Sequence, residues 1–483
     1  MNRLGEAAVE ELGSEISRWR YARPELAVGI VHLGLGAFAR AHLLAFTDDA
    51  LERAFGPFGV CGVSLRNPGV RDHLLPQDGL YALAERGGDA ERLRVIGCLR
   101  EILVGPEDPT AVVRRIADPA VGLVTLTVTE NGYCHDPASG GLQPEHPDIR
   151  QDLEHPGRPR SAIGALVAGL DARRHAGAPP PTVLSCDNLP SNGTTLRDLA
   201  LAFAALRDDA LTGWIDAEVA FPCTMVDRIV PATTPAEVEK ISARLRLRDE
   251  APVVCEAFRQ WVIEDRFTGP RPTWERVGAE LVADVAPYEE MKLRLLNGSH
   301  SALAYLGFLA GFEHVFEVMR EAAFVAFLRR MMAEEVAPTL SVPADLAAYS
   351  PRSWSASPTR RSPIAPHRSP WTARRSCPSG CSVRSATSCA PAVRSACSVS
   401  RSPAGCATPP AATRPAGRSR WPIPWHRVFP TSPPAPAASP RLSRKVSCRC
   451  VRCSATSCRA TSASPARSRV GSPPFSSAAR VPR

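Results

Sequence analysis

The run AVGIVHLGLGAFARAH, residues 27–42, constrains this chain more than any other: an apolar strand passes straight into Gly34, Gly36 and Ala39, then into a helical pattern. In that setting the small-residue spacing is a dinucleotide fingerprint. Gly34 permits a tight turn, Gly36 lets the backbone approach a pyrophosphate, and Ala39 lets the helix pack close to the strand, with the diphosphate on the helix N-terminus. A plain strand-to-helix turn is the competing reading, and the strand before and the helix after weigh against it. The next strand, FGVCGVSL, leads into Arg66, Asn67 and Pro68, where an NAD enzyme often carries an acid for the ribose hydroxyls. No acid stands there and Asp72 comes a few residues late. Arg66 suits a 2′-phosphate equally well, so NAD and NADP both stay open.

Further strands follow at α/β spacing: VGLVTLTVTENGY over 121–133, PTVLSCDN over 181–188 and AEVAFPCTMVDRIVP over 217–231. Open parallel sheets bind ligands at the carboxyl ends of their strands. Glu130, Asn131, Asp187, Asn188 and Asp227 are therefore expected along one rim, although each alone reads as a turn or cap residue.

Downstream, MKLRLLNGSHSALAYLG (291–307) reads as a helix. At about 100° per residue, Lys292, Asn297 and His300 fall within an arc of roughly 140°, with Glu289 inside it. A lysine facing a pocket with hydrogen-bonding partners suits metal-free proton transfer, because burial lowers the ammonium pKa and frees the amine as a base. Leu293 and Leu296 share the arc, so a core helix with a snorkelling lysine is the competing reading.

Composition splits the chain near residue 350. Residues 351–483 contain no Asp or Glu and hold 23 of the 58 Lys and Arg, leaving 35 basic residues to face all 49 acidic ones in residues 1–350. The first part therefore carries −14 and the last +23, although the whole reads +9. Six cysteines, Cys61, Cys98, Cys134, Cys186, Cys223 and Cys255, are scattered singly in the first part, as suits buried thiols in a reducing compartment. No paired Cys or His stands there at zinc-ligand spacing. The N-terminus MNRLGEAAVEELG has no signal-peptide core, and no stretch reaches membrane-span length, so the expected address is cytoplasmic.

From about Gly29 to Leu340 the chain resembles the mannitol dehydrogenase family of long-chain polyol and hexuronate dehydrogenases, which includes mannitol 2-dehydrogenase and fructuronate reductase. The turn Gly34 to Phe38 with Arg40 and His42 is similar to that family's cofactor motif, although many members have His where this chain has Ala39. Thr224 to Pro231 matches its signature, and Lys292, Asn297 and His300 match its catalytic pattern. The resemblance implies a Rossmann-like dinucleotide-binding domain over 24–275 and the start of a mainly α-helical substrate domain over 276–349. It also implies an NAD(P)-dependent, zinc-independent oxidoreductase with Lys292 as general acid/base. Asn188 and Asn297 would donate to the oxygen where charge develops, His300 and Asp227 would hold substrate hydroxyls, and Glu130 and Glu289 would relay protons or tune the lysine. Gly34, Gly36, Phe38, Ala39, Arg40 and Arg66 would meet the cofactor. D-mannitol/D-fructose and D-mannonate/D-fructuronate are the implied substrate pairs, with no membrane or nucleic-acid partner, and the oligomeric state is left open.

The Ser/Arg/Pro/Cys-rich tail, 350–483, departs from that family. It reads as a disordered basic arm for nucleic acid or another polyanion on an impaired dehydrogenase-like body, as a metal module around Cys448, Cys450, Cys453 and Cys458, or as a reading-frame error. The last is favoured. Written in GC-rich codons and shifted by one nucleotide, WSASPTRRSPIA can give LERFANPAIA and WTARRSCPSGC can give VDGTQKLPQRL, two strings resembling what the family carries here. The shift would restore an arginine between Ser355 and Ala356, in a segment that contributes substrate contacts in the family, together with the helices that close the second domain.

Overall fold

The computed structural model describes residues 1–343 apart from 88–89 and 137, together with 346. The readings of the tail lie outside the described residues.

Eleven strands are described: β1 Val28–Leu33, β2 Gly59–Ser64, β3 Tyr81–Gly87, β4 Ala90–Ile96, β5 Leu99–Val104, β6 Leu123–Leu126, β7 Thr182–Ser185, β8 Thr224–Asp227, β9 Val253–Glu256, β10 Gln260–Glu264 and β11 Glu280–Val282. The apolar runs of the sequence assemble a five-stranded sheet in the order β5-β2-β1-β6-β7, parallel at every pairing. Every residue of β2, β6 and β7 is buried, as a sheet covered on both faces requires. Val31 and Leu33 pack on one face with Ile163, Leu166 and Phe203, while Ile30 packs on the other with Phe46, Trp261 and Trp274, following the strand's alternation. The chain leaves β1 towards β2 on one side and reaches β6 on the other. This topological switch point opens a crevice at the strands' carboxyl ends, immediately after β1.

His32 ties that point together. Its ring, fully buried in β1, bonds Thr125 Oγ1 and Thr127 Oγ1 at 2.8 Å each, linking β1 to the end of β6 beneath the glycine turn. Burial lowers its pKa from 6.5 to about 4, so it is neutral at pH 7. The unfolded chain binds the proton in that window and the folded chain does not, so stability falls as pH drops from 6.5 to 4, by about 1.4 kcal/mol per pH unit for this group at most. A melting-temperature series over that range should show a shallower slope for His32→Gln than for the unaltered chain. Equal slopes would clear His32 of the acid sensitivity.

Two smaller mixed sheets flank the parallel one, β4-β3-β9 and β11-β10-β8. They correct the expected rim. The segment at 217–231 does not supply another long strand of the parallel sheet: β8 pairs antiparallel with β10, opposing Asp227 to Gln260, so Asp227 reaches the site from a different sheet. β11 lies beyond residue 275 yet pairs with β10, and the helices begin only at Ala286. Before residue 24, Leu4, Ala8 and Ile16 are buried against β3 and β4 residues, so the N-terminal segment joins this core. Helical elements then occupy most of Ala286 to Thr339. The six cysteines are buried and free. Among the described residues no helix is long and apolar enough to cross a membrane.

Candidate active site

A cavity of about 330 Å³ lies where the segments after β7, along β8 and in the helix from Ala286 come together, and Asn188, Glu289, Lys292 and Asn297 share its wall. Lys292 is only 6% exposed. Its Nζ donates to Asn188 Oδ1 and to the Val226 carbonyl, both at 2.6 Å, and stands 3.7 Å from Asp227 Oδ1. Two fixed acceptors take two N–H bonds, leaving one tetrahedral position for a third proton or, in the neutral amine, a lone pair. Burial lowers the lysine pKa, opposed by Asp227 and Glu289. Burial likewise raises Asp227, against the pull of Lys292 and His300, and lowers His300, which Asp227 opposes and Lys292 reinforces. The three form one electrostatic unit in which no charge is cheap. Asp227 and His300 couple to Lys292 without lining the cavity.

The helix carrying this group is not uniformly α. Ala286–Met291 and Gly298–Leu309 are α-helical, and Lys292–Asn297 between them is a π-helix. On an α-helix, residues five apart stand about 140° from each other. With i→i+5 bonding that angle narrows, so the wide turn brings Lys292 and Asn297 to one wall more closely than the expected arc would. The same departure leaves Leu293 exposed at 41%, not in the core.

Asn188 is aimed by residues that periodicity does not reveal. Asp187 accepts the Val128 and Thr129 N–H groups at 2.8 and 3.1 Å and the Tyr133 hydroxyl at 2.8 Å, fastening the end of β7 to the loop after β6. Buried Asn192 donates to the carbonyls of Ser185, Asp187 and Thr224 and accepts the Thr224 N–H at 2.8 Å, locking β7 to β8. Asp187, expected on the rim, thus acts as a clamp. Because Asn188 Oδ1 accepts a hydrogen bond from Lys292 Nζ, its Nδ2 is left to donate. A second overlooked group is Glu256, buried at the end of β9, whose Oε1 accepts the Ile229 N–H at 2.5 Å. Burial and then, against the pull of that bond, the charge of Asp227 hold its pKa up at about 8. Its signal was a lone acid closing the apolar run VVCE.

A second cavity, about 1300 Å³, opens at the switch point and is lined by Gly34, Gly36, Arg66, Thr127 and Val128 among others. It meets the lysine cavity across the Asp187–Val128 bond. Gly34 has φ +99°, and a Cβ there would stand 2.1 Å from the Thr127 carbonyl, so only glycine fits. Gly36 differs: its φ is −92° and a Cβ would meet nothing nearer than 3.8 Å. Neither conformation nor internal packing asks for glycine at 36, and its bare Cα lines the cavity, the cradle a diphosphate requires. Not every expected cofactor residue reaches this wall. Ala39 is wholly buried, Phe38 stacks on His42 with centroids 5.1 Å apart, and Arg40 is inside, donating to the Ala251 carbonyl at 2.5 Å with its guanidinium over the Tyr81 ring. Glu130 begins a short 3-10 turn and lines neither cavity.

Cys134, His146 and Asp148 offer a thiol, an imidazole and a carboxylate within 4.8 Å of one another, a grouping that spacing did not suggest. Helix capping accounts for two of them, since His146 Nδ1 accepts the Asp148 N–H at 3.2 Å ahead of the helix Pro147–Glu154 and Asp148 is the acid of its first turn. Burial, reinforced by Asp148 and Asp152, pushes the Cys134 thiol up to about 11.

Residues 28–276 match the family model of the mannitol dehydrogenase Rossmann domain, and 284–352 that of the mannitol dehydrogenase C-terminal domain. The chain belongs to the mannitol dehydrogenase family. D-mannonate oxidoreductase of Escherichia coli (strain K12) is 46% identical over 337 residues, 68% of this chain and 69% of that protein. Pseudomonas fluorescens mannitol 2-dehydrogenase, solved as a ternary complex with NAD and D-mannitol, shares 43% identity over 73% of both chains with a TM-score of 0.68. A D-sorbitol dehydrogenase, solved in substrate-free form, gives a TM-score of 0.70 at 34% identity over 73% of this chain and 75% of that one. Mannitol dehydrogenase family membership accounts for the Rossmann sheet, the glycine turn and the helical segment that follows.

Proposed function

We propose that this chain is an NAD-dependent oxidoreductase that interconverts a secondary alcohol of a sugar alcohol or sugar acid with the corresponding ketose or ketouronate, using Lys292 as general acid/base. The observation that carries the reading is the buried lysine, anchored on two acceptors, in a cavity that adjoins the glycine-turn crevice. NAD suits that crevice through the bare Cα of Gly36, and when bound it supplies the hydride acceptor or donor. The chain's own residues manage the proton. In oxidation the neutral Lys292 amine takes the hydroxyl proton at its free position, and in reduction the ammonium returns it to the nascent alkoxide. Asn188 Nδ2 and the Asn297 amide donate to that oxygen as charge develops. Asp227 opposes the lowering of the lysine pKa, and neither it nor His300 lines the cavity. Glu289, on the cavity wall and receiving the Ser191 N–H at 3.1 Å, suits proton exchange with solvent better than Glu130 does. D-mannitol with D-fructose and D-mannonate with D-fructuronate are the substrate pairs, and the address is cytoplasmic.

The frame-restored chain should form NADH from NAD with D-mannitol or D-mannonate. Asn188→Ala should then raise the barrier by roughly 2.7 to 4 kcal/mol, the scale of one lost oxyanion donor, read as a fall in kcat with nucleotide binding kept. No polyol-dependent NADH formation would defeat the activity, and a negligible loss on substitution would remove Asn188 from the site.

A further inference from the structure

We propose that Cys134, His146 and Asp148 form a seat for a thiophilic divalent cation, zinc foremost, on the wall of the large crevice. A sulfur, a ring nitrogen and a carboxylate oxygen already stand within 4.8 Å of one another there. Tetrahedral zinc bonds of about 2.0 to 2.3 Å place neighbouring donor atoms roughly 3.3 to 3.7 Å apart, so closing the set takes side-chain movements of about an ångström. A mixed sulfur, nitrogen and oxygen set suits zinc and disfavours magnesium and calcium, which take oxygen ligands.

The backbone brings the donors together without help from an ion. The Cys134 carbonyl accepts the Gln143 N–H and the Gln143 carbonyl accepts the His146 N–H, both at 3.0 Å, so the loop after the turn Glu130–Tyr133 returns His146 to Cys134. The donors themselves are uncommitted. The Cys134 thiol is 5% exposed and makes no hydrogen bond among the described residues. Helix capping uses the Asp148 N–H and one ring nitrogen of His146, but not the Asp148 carboxylate, which stands 4.0 Å from His146 Nδ1 and accepts no hydrogen bond among the described residues. A buried thiol alone is an ordinary apolar group. What singles this one out is an imidazole and a carboxylate within ligand reach, and no other cysteine among the described residues has such neighbours. Asp148 and Asp152 bear on the thiol more strongly than Arg66 does, a field that favours a dication. All three donor residues line the crevice, so three protein ligands leave the fourth position to water from that side, the pattern of an open zinc site. None lines the lysine cavity, and the ion takes no part in the proton transfer proposed above. Its effect is to clip the segment after β6 to the start of the helix Pro147–Glu154.

Metal counting decides it. The full chain is stripped with a chelator, equilibrated with micromolar Zn²⁺ and assayed for bound zinc per chain by atomic emission, with a parallel Cd²⁺ titration read through cadmium–thiolate absorption. Cys134→Ser should hold one zinc fewer per chain than the unaltered protein, and Asp148→Asn should weaken the same site by at least about tenfold. A count is needed because the tail's cysteines, Cys448 and Cys450 among them, remain in every variant. Zn²⁺ should also raise the melting temperature of the unaltered chain more than that of Cys134→Ser, since the clip exists only in the folded state. Equal zinc counts in Cys134→Ser and the unaltered chain overturn the seat, as does a full count and unchanged affinity in His146→Gln. Circular dichroism separates a lost ligand from a lost fold, and should Cys134→Ser misfold, the affinity of Asp148→Asn decides in its place. The oxidoreductase reading stands or falls separately from every one of these results.

Discussion

Lys292→Met is expected to lower kcat by about 10² to 10⁴ in a frame-restored chain, the range attributable to a positioned general acid or base, while nucleotide binding is kept. Methionine preserves much of the stem's packing and removes the amine, with its charge and its bonds to Asn188 and the Val226 carbonyl. The pH profile tests the role independently. Alcohol oxidation needs the neutral amine, so its rate should rise with pH through the lysine pKa, which burial places below the ordinary 10.5. Ketone reduction needs the ammonium, so its rate should fall across the same limb. Asp227 opposes the lowering, and Asp227→Asn should therefore move that limb to still lower pH. Near-normal turnover by Lys292→Met at all pH values would show that the lysine is structural. A limb that ignored Asp227→Asn would separate the two residues.

Much of this was legible in the chain because local chemistry and tertiary role coincide there. Gly34 needs positive φ in any context, and the apolar runs of β1, β2, β6 and β7 need two covered faces, so turn and sheet could be read directly. Arg40 shows the limit. It sits one turn into the helix beside residues of the motif, yet the guanidinium finds Tyr81 and Ala251, 211 residues away from it in the latter case. Proximity in sequence says nothing about which side of a helix meets the crevice when both sides are packed. The π-turn was hidden for a related reason: the backbone bonding of Lys292–Asn297 is set by what packs around it, and no residue in KLRLLN announces it. The same holds for Val226, whose contribution is a carbonyl that every residue possesses.

Restoring the reading frame near residue 354 is expected to have the other large effect, raising polyol-dependent turnover by at least about 10²-fold if the segment supplies even one buried charge-assisted substrate contact and the packing that holds it. The physical case begins with the helix Gly298–Leu309, where Tyr305, Phe308 and Leu309 are 42%, 51% and 75% exposed. Nearby, Leu303, Val318 and Leu328 form a small separate cluster, far short of the core that supports the parallel sheet. The match covers 69% of the D-mannonate oxidoreductase and 73% of the mannitol 2-dehydrogenase, and beyond residue 350 this chain has no acidic residue with which to pair 23 basic ones. A sequence that resumes LERFANPAIA and VDGTQKLPQRL would return an arginine between Ser355 and Ala356, apolar residues to cover that helix, and acids to balance the charge. Expressed side by side, the restored chain should be the more soluble and should oxidise D-mannitol or D-mannonate, whereas the chain with the basic tail should bind nucleotide with little turnover. Equal turnover by the two would sink the idea, as would recovery of long native peptides from the tail. The contrast between the two chains also isolates what the intact part does alone: the crevice beside the glycine turn is lined by residues between Gly34 and Ala162, all ahead of the tail in sequence, so a loss confined to substrate turnover would assign the missing segment to the polyol and not to the cofactor.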